Sequence, residues 1–249
     1  MQNLQPLSSA LADVHYVFSP PLVAGRLLRR YQRFLADVAL EDERVVTVHC
    51  PNSGFMMGCL EPHAPVYCSP RSAPGRRTLL TWEMILIGGN WVGINTLIPN
   101  DLVHQAAKNQ ALPLFHGAQR VRREVRLDPN TRLDFMMERA SGPLYVEVKN
   151  VTLVRQGIAQ FPDAPTMRGV RHLQQLIKLA AKGQGAAMVY VVQRQDSVAF
   201  APAYDIDPGY AEHYRLARAA GVQVVALEAH VTPHQIRLAR VLPLLDPGG

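Results

Sequence analysis

Asp134, Glu147 and Lys149 are the residues of this chain whose types and spacing point most directly to chemistry. Asp134 stands in Arg132-Leu133-Asp134-Phe135-Met136-Met137. The other two stand in Tyr145-Val146-Glu147-Val148-Lys149, beyond the turn signal Ser141-Gly142-Pro143. Both segments read as buried strands. Side chains alternate along a strand, so Glu147 and Lys149 share one face with Tyr145. The preceding strand brings Asp134 to the same level. Two carboxylates and an ammonium converging there suit a hard cation, because Mg²⁺ takes oxygen ligands and keeps several waters. Asp134 and Glu147 can hold Mg²⁺ (or Mn²⁺), with the backbone carbonyl of Val148 as a third oxygen donor. Such a metal polarises a phosphate and lowers the pKa of a bound water. Lys149 can position that water or stabilise the charge that builds up in phosphodiester cleavage. The same three residues can instead form a structural ion pair. A buried pair is costly unless well satisfied, and spacing alone leaves both readings open.

Other polar residues extend the constellation. Glu124, ten residues before Asp134, is either a third catalytic carboxylate or a solvent-facing strand residue. On the helix expected after Thr166, Arg168, His172 and Gln175 recur at four and three residues and so share a face. They can hold phosphate or form a solvated surface; Lys178 and Lys182 continue the stripe as surface charge. Asp163, in a loop bounded by prolines, can cap that helix or face the metal. Earlier in the chain Arg29, Arg30, Tyr31, Arg33 and Phe34 interleave cations with aromatics, a pattern that suits nucleic acid bound by stacking plus electrostatics. Phe34 is expected in the core. Asn52-Ser53-Gly54 either turns the chain tightly or touches a backbone phosphate, and His49 reads as a satisfied strand histidine.

Two domains must position these residues. Residues 18–97 carry short strand candidates at Leu22 to Leu28, Phe34 to Leu40, Arg44 to Cys50, Ala64 to Ser69, Thr78 to Ile87 and Trp91 to Thr96. Their spacing predicts a small β-barrel or sandwich. Glu41-Asp42-Glu43 and Gly88-Gly89-Asn90 supply hairpin connections. The period changes near Ile98. Residues 98–243 predict a helix over Pro99 to Lys108, capped by Asn100 or Asp101, then strands at Val121 to Leu127, Arg132 to Met137 and Leu144 to Lys149. A helix from Thr166 to Ala181, a buried strand at Ala187 to Val192, a helix at Tyr210 to Ala220 and a strand at Val222 to Leu227 complete an α/β layer. Residues up to about 17 read as a frayed extension and Pro247-Gly248-Gly249 as a loose tail.

Composition narrows the classes. Of 249 residues, 48% are hydrophobic, enough for one large core or two small ones. No run of 18 apolar residues occurs, so no membrane partner is expected. Met1 to Tyr16 shows neither an early basic cluster nor a compact apolar core, so no signal peptide is expected and a cytoplasmic setting follows. The three cysteines, Cys50, Cys59 and Cys68, match no zinc pair and read as buried free thiols. The net charge is +6. Through Thr96 eight arginines face seven acidic residues; beyond it eighteen basic residues face thirteen. Basicity concentrated in the second half fits a polyanion partner. Arginine outnumbers lysine 22 to 4. That makes each lysine worth a look, since Lys is a compact point charge whose pKa shifts on burial.

Asp134 with Glu147-Val148-Lys149 resembles the PD-(D/E)XK nuclease signature, with Leu133 where the motif name has proline. More specifically, the chain resembles the sugar fermentation stimulation protein A (SfsA) family over about residues 20 to 240. The resemblance rests on Arg30 to Val38, His49-Cys50-Pro51-Asn52-Ser53-Gly54 with Met57-Gly58-Cys59, Trp82-Glu83 and Asn95-Thr96-Leu97. In the second half it rests on Arg132 to Met136, Tyr145 to Leu153, Phe161-Pro162-Asp163-Ala164-Pro165-Thr166, Arg168-Gly169 and His172-Leu173. It implies an OB-fold-like N-terminal β-barrel followed by a PD-(D/E)XK nuclease-like α/β domain with a mixed sheet. It implies DNA binding and a Mg-dependent nuclease site acting on DNA or RNA. A non-catalytic DNA-binding regulator of sugar metabolism genes is the alternative, and a homodimer stays open.

Overall fold

The computed structural model describes residues 11, 13–71, 78–128 and 131–246. Much of the expected N-terminal extension and the expected loose tail Pro247-Gly248-Gly249 lie outside the described residues.

The first domain is a barrel of β2 (Val23–Tyr31), β3 (Leu35–Leu40), β4 (Val45–His49), β5 (Pro65–Pro70), β6 (Leu80–Ile87) and β7 (Asn90–Gly93). The strand order is β4-β3-β2-β5-β6-β7, and β4 meets β6 at His49 and Thr81 to close the sheet on itself. Inward residues of alternating strands, Leu27, Val38, Val48, Val66, Trp82 and Ile85, fill it. Cys50, Cys59 and Cys68 are fully buried, free thiols in this core, as their apolar contexts predict. Burial pushes the Cys59 thiol up to about 11 and Cys68 further still, so neither is a nucleophile at neutral pH. Phe34 is a correction: it is 49% exposed. It follows the tight β2–β3 turn, where Gln32 and Arg33 hold φ of 47° and 61°, and lies ahead of the inward alternation that begins in β3.

The second domain is built on a seven-stranded mixed sheet. It comprises β1 (His15–Val17), β8 (Ala118–Asp128), β9 (Thr131–Arg139), β10 (Leu144–Val151), β13 (Gly185–Val192), β15 (Gln223–Val231) and β16 (Gln235–Leu242), in the order β1-β16-β15-β13-β10-β9-β8. The three central strands β10, β13 and β15 run parallel. Helix α1 (Ile98–Lys108) packs on one face, while α2 (Met167–Ala181) and α3 (Pro208–Ala219) pack on the other. This explains the unbroken apolar run of β13: Ala187, Val189 and Val191 face the α1 core, and Met188, Tyr190 and Val192 face the α2/α3 core. A small sheet of β11 (Leu153–Arg155), β12 (Ile158–Phe161) and β14 (Ala199–Pro202) flanks the second face.

The N-terminal segment corrects the expected fraying within its described part. Leu11 and Val14 are buried in the α1 core, and β1 pairs with β16. Helix α1 opens earlier than expected, with Leu97 at the cap position and no side-chain cap bond. Thr166 does cap α2, accepting from Gly169 N at 3.0 Å. Among the described residues no helix is long and apolar enough to cross a membrane.

Gly169 sets how closely α2 approaches α3. A Cβ there would lie 2.7 Å from Thr166 Cγ2 and 2.9 Å from Tyr210 Cε2. Helix propensity favours alanine over glycine by about 1 kcal/mol, whereas overpacking costs about 1–3 kcal/mol. Gly169→Ala is therefore expected to lower the urea midpoint with an unchanged slope. A midpoint equal to or above that of the parent would mean the two helices yield without cost.

Candidate active site

The site begins where two strands part. Strand β10 pairs with β13 along its whole length, but with β9 only from Leu144 to Val146. Beyond that point the β9 side of β10 is open. The Asp134 carboxylate enters the gap and its Oδ2 accepts from Val148 N at 2.7 Å, taking the place of a ladder carbonyl. Its Oδ1 accepts from Asn100 Nδ2 on α1 at 3.1 Å. An acid in this position satisfies backbone that would otherwise be orphaned. It also fixes the carboxylate at the level of Glu147 and Lys149. The alternation of β10 is as expected: Val146 and Val148 face the α1 core, and Tyr145 packs on the opposite one.

Glu147 and Lys149 meet on that second face. Glu147 Oε1 accepts from Lys149 Nζ at 2.5 Å and is hydrogen-bonded to His172 Nδ1 of α2. Lys149 Nζ lies 3.0 Å from the same ring nitrogen. Burial pushes the Glu147 carboxyl up, but the Lys149 ammonium and the His172 bond more than reverse this, and it ends at about 2. An ionised carboxylate only accepts, so the proton of the Glu147–His172 bond sits on Nδ1. Asp134 behaves oppositely. Burial, followed by repulsion from Glu147, pushes it up to about 7, against the Val148 amide, Lys149 and Asn100. Glu147 Oε2 is buried with no hydrogen-bond partner. The Lys149 ammonium thus sits on the Oε1 side of Glu147 and leaves Oε2 unpaired.

The barrel supplies the facing wall. A cleft of about 270 Å³ is lined by Asp134, Glu147, Val148 and Lys149 on one side and by Asn52, Ser53, Gly54 and Thr96 on the other. Arg30 holds this barrel loop, donating to Asn52 O at 2.7 Å and Gly54 O at 2.9 Å. Asn52 turns it, with Oδ1 accepting from Gly54 N at 2.8 Å and Nδ2 donating to Ile94 O. Asp163 neither caps α2 nor stands apart: it lines the cleft and accepts from Met56 N at 2.6 Å, tying the loop to the second domain.

Sequence-based expectations fare unevenly against this geometry. Asp134, Glu147, Lys149 and the Val148 backbone come together, and Arg168 joins them at the cleft rim. Glu124 is a correction. It stands opposite Asp134 on β8 but at φ 56°, and its carboxylate turns away to Arg132 at 2.8 Å, more than half exposed. His172 is buried inside the cluster rather than displayed on a helix surface, and half-buried Gln175 does not line the cleft. Arg30 and Asn52 spend their polar atoms inside the protein, which corrects the expectation that they reach a ligand. Arg29 pairs with Asp37 at 2.8 Å and lies over the Tyr31 ring, while its guanidinium stays largely exposed; Arg33 and Ser53 are exposed as well. Asn100 escaped sequence reasoning because an Asn near a helix start reads first as a cap.

An OB-like barrel closing over a PD-(D/E)XK-like mixed-sheet domain defines the class of protein. Family models agree on both halves. Residues 28–94 match the SfsA N-terminal OB domain, and residues 97–235 match the sugar fermentation stimulation protein RE domain. The sugar fermentation stimulation protein homolog of Geobacter sulfurreducens is 49% identical over 225 residues, spanning 90% of this chain and 97% of that one. That of Methylobacterium nodulans is 45% identical over 233 residues. The fold also matches the structure of Pyrococcus furiosus SfsA in complex with Ca²⁺, with a TM-score of 0.85 and 29% identity over 92% of this chain and 98% of that one. The chain belongs to the sugar fermentation stimulation protein (SfsA) family.

Proposed function

We propose that the chain is a divalent-metal-dependent nuclease that hydrolyses phosphodiester bonds of DNA, or of RNA, with Mg²⁺ or Mn²⁺ as its cofactor. The observation that carries this reading is the convergence of Asp134, Glu147 and Lys149 in one cleft between the two domains. The donor set fits such an ion. Asp134 and Glu147 offer hard oxygens, Glu147 Oε2 has no other partner, and burial with the Glu147 charge pushes the Asp134 carboxyl up to about 7, a shift that a bound cation would oppose. Among the described residues no three His, Cys, Asp or Glu side chains form a ready cage. Mg²⁺ does not need one, because one or two carboxylates and several waters suffice. The Pyrococcus furiosus relative was solved with Ca²⁺, which is likewise an oxygen-seeking cation.

Asp134, Glu147 and the Val148 carbonyl would hold the ion, which when bound polarises a phosphate and acidifies a water. The chain's own residues do the rest. Asn100 and the Val148 amide fix the Asp134 carboxylate. Lys149, held by Glu147, presents its ammonium to the charge that grows as water bonds to phosphorus and one P–O ester bond breaks. The products are a phosphomonoester and a free hydroxyl. Arg168 at the rim holds a neighbouring phosphate, and the exposed Arg29 and Arg33 of the barrel extend the basic track.

Purified protein incubated with single- and double-stranded DNA and RNA is expected to cleave at least one of them with Mg²⁺ or Mn²⁺, and none with EDTA. Asp134→Ala and Glu147→Ala should each lower the rate by about 10²-fold or more. Cleavage that survives EDTA, or survives Asp134→Ala, would sink the metal site. Binding that weakens with salt, without turnover of any substrate, would favour the non-catalytic DNA-binding reading.

A further inference from the structure

A second pocket, of about 200 Å³, lies beside the catalytic cleft, lined by Thr131, Arg132, Arg168, Arg171 and His172. We propose that it binds the terminal phosphomonoester of a nucleic-acid strand and so places the cut near a strand end. This deepens the nuclease reading and rests on it.

Charge is the first argument. Three guanidiniums line the pocket, and among the described residues their single acidic partner is Glu124, on Arg132. Neither Arg168 nor Arg171 has a hydrogen bond or an ion pair with a described residue, and both are exposed. The pocket thus carries about two uncompensated positive charges. An internal phosphodiester carries one negative charge, whereas a phosphomonoester carries about −1.5 to −2 at pH 7 and offers three strong acceptor oxygens. The match is to the monoester, and guanidinium forks are the side chains best shaped for it.

Placement is the second argument. Arg168 and Arg171 sit in the first turns of α2, whose first turn holds no acid. Cations are unfavourable at a helix N-terminus, where the backbone already presents partial positive charge. Helix stability therefore does not explain them, but an anion held at that end does. Glu124 gains a role here too: its bond orients the Arg132 guanidinium, which accounts for a carboxylate that turns away from the metal site.

Connection to the catalytic cluster is the third. Arg168 lines both cavities, and His172 walls this pocket while its Nδ1 bonds Glu147. A strand end seated among the arginines leaves the next linkages to cross the cleft. Hydrolysis itself creates a phosphomonoester, so each cut leaves on one of its two fragments the kind of end that this pocket recognises.

The test is equilibrium binding of the full chain, in EDTA so that no turnover occurs, to a short fluorescent oligonucleotide. The strand carries a 5′-phosphate, a 3′-phosphate or neither. One phosphorylated form is expected to bind at least about tenfold tighter than the unphosphorylated strand. Arg171→Ala should reduce that ratio to near one, Arg171→Lys should retain part of it, and inorganic phosphate should compete selectively with the favoured form. Equal affinity for all three strands, or a ratio untouched by Arg171→Ala, overturns the proposal. Because the readout is binding without metal, a protein that cleaves nothing in Mg²⁺ yet keeps the preference would refute the nuclease reading and leave this pocket standing.

Discussion

Asp134→Asn is expected to make the metal-free protein more stable at pH 8 while removing cleavage. The Asp134 carboxyl rises from an ordinary value of 3.8 to about 7 in the fold, by burial and by the Glu147 charge. A carboxyl raised on folding keeps its proton in the native state over a range where the unfolded chain has lost it. Stability from this group is thus fully present below about pH 4 and is lost as pH rises to about 7. At about 1.4 kcal/mol per unit, the cost above pH 7 is about 4 kcal/mol at most. Asparagine is neutral at every pH and keeps an oxygen for the Val148 amide, while its NH₂ can face Asn100 once that amide turns over. Thermal melts in EDTA should place the variant several degrees above the parent at pH 8. The two should converge near pH 4. Saturating Mg²⁺ should narrow the gap at pH 8, because a cation favours the ionised parent. A variant no more stable than the parent at pH 8 in EDTA would mean that Asp134 is not held against its charge.

The same mechanism explains what the sequence displayed. Asp134 and Glu147 are legible because they are acids in segments otherwise apolar, and a strand's period of two puts Glu147 and Lys149 on one face without further information. The fork between β9 and β10 is not legible. It arises where ladder pairing stops after Val146 and a side chain replaces a backbone partner. Asn100 and His172 are therefore missed or misplaced, since both are positioned by α1 and α2 docking on opposite faces of the sheet. Glu124 fails for a local reason: a non-glycine residue at φ 56° reorients its side chain, and no residue pattern announces it.

The fold divides in the same way. Strands marked by β-branched or unbroken apolar runs, such as β4 and β13, and helices with a side-chain cap, such as α2, are recovered. The short β11, β12 and β14 are missed because three or four residues cannot display a period. β1 is missed because its stability comes from β16, about 220 residues away in sequence. β16 itself alternates buried Ile236 and Leu238 with half-buried Gln235 and Arg237, and was readable in principle. The closure of the barrel loop over the cleft, through Arg30 and Asp163, is long-range and beyond any local reading.

Lys149→Met should do the opposite of Asp134→Asn to stability and the same to catalysis. The ammonium lies 2.5 Å from Glu147 Oε1, and both side chains are nearly inaccessible. Methionine replaces the stem but leaves a buried carboxylate with His172 as its one hydrogen-bond partner. Removing one partner of a buried pair costs about 3–5 kcal/mol. Glu147 ends at about 2 in the fold, below its ordinary 4.5, so its stabilisation is present above about pH 4.5 and is lost as pH falls through about 2. The loss in the variant is therefore expected to be large at pH 7 and to shrink below pH 4. Mg²⁺ should stabilise the variant more than the parent, because it supplies the missing charge to Glu147. It should not restore cleavage, which falls by about 10²–10³-fold, because the ammonium acts on the phosphate from its own position. Lys149→Arg should not restore it either, since a planar fork cannot replace a point charge wedged between Glu147 and His172. Lys149 neutralises Glu147, whereas Asp134 lies outside that pair, bonded to Asn100 and the Val148 amide. Removing the Asp134 charge therefore stabilises and removing the Lys149 charge destabilises, and the loss of cleavage in both variants is what marks the cluster as catalytic rather than structural. Should Lys149→Met match the parent in stability at pH 7, or retain its turnover, that assignment of roles fails.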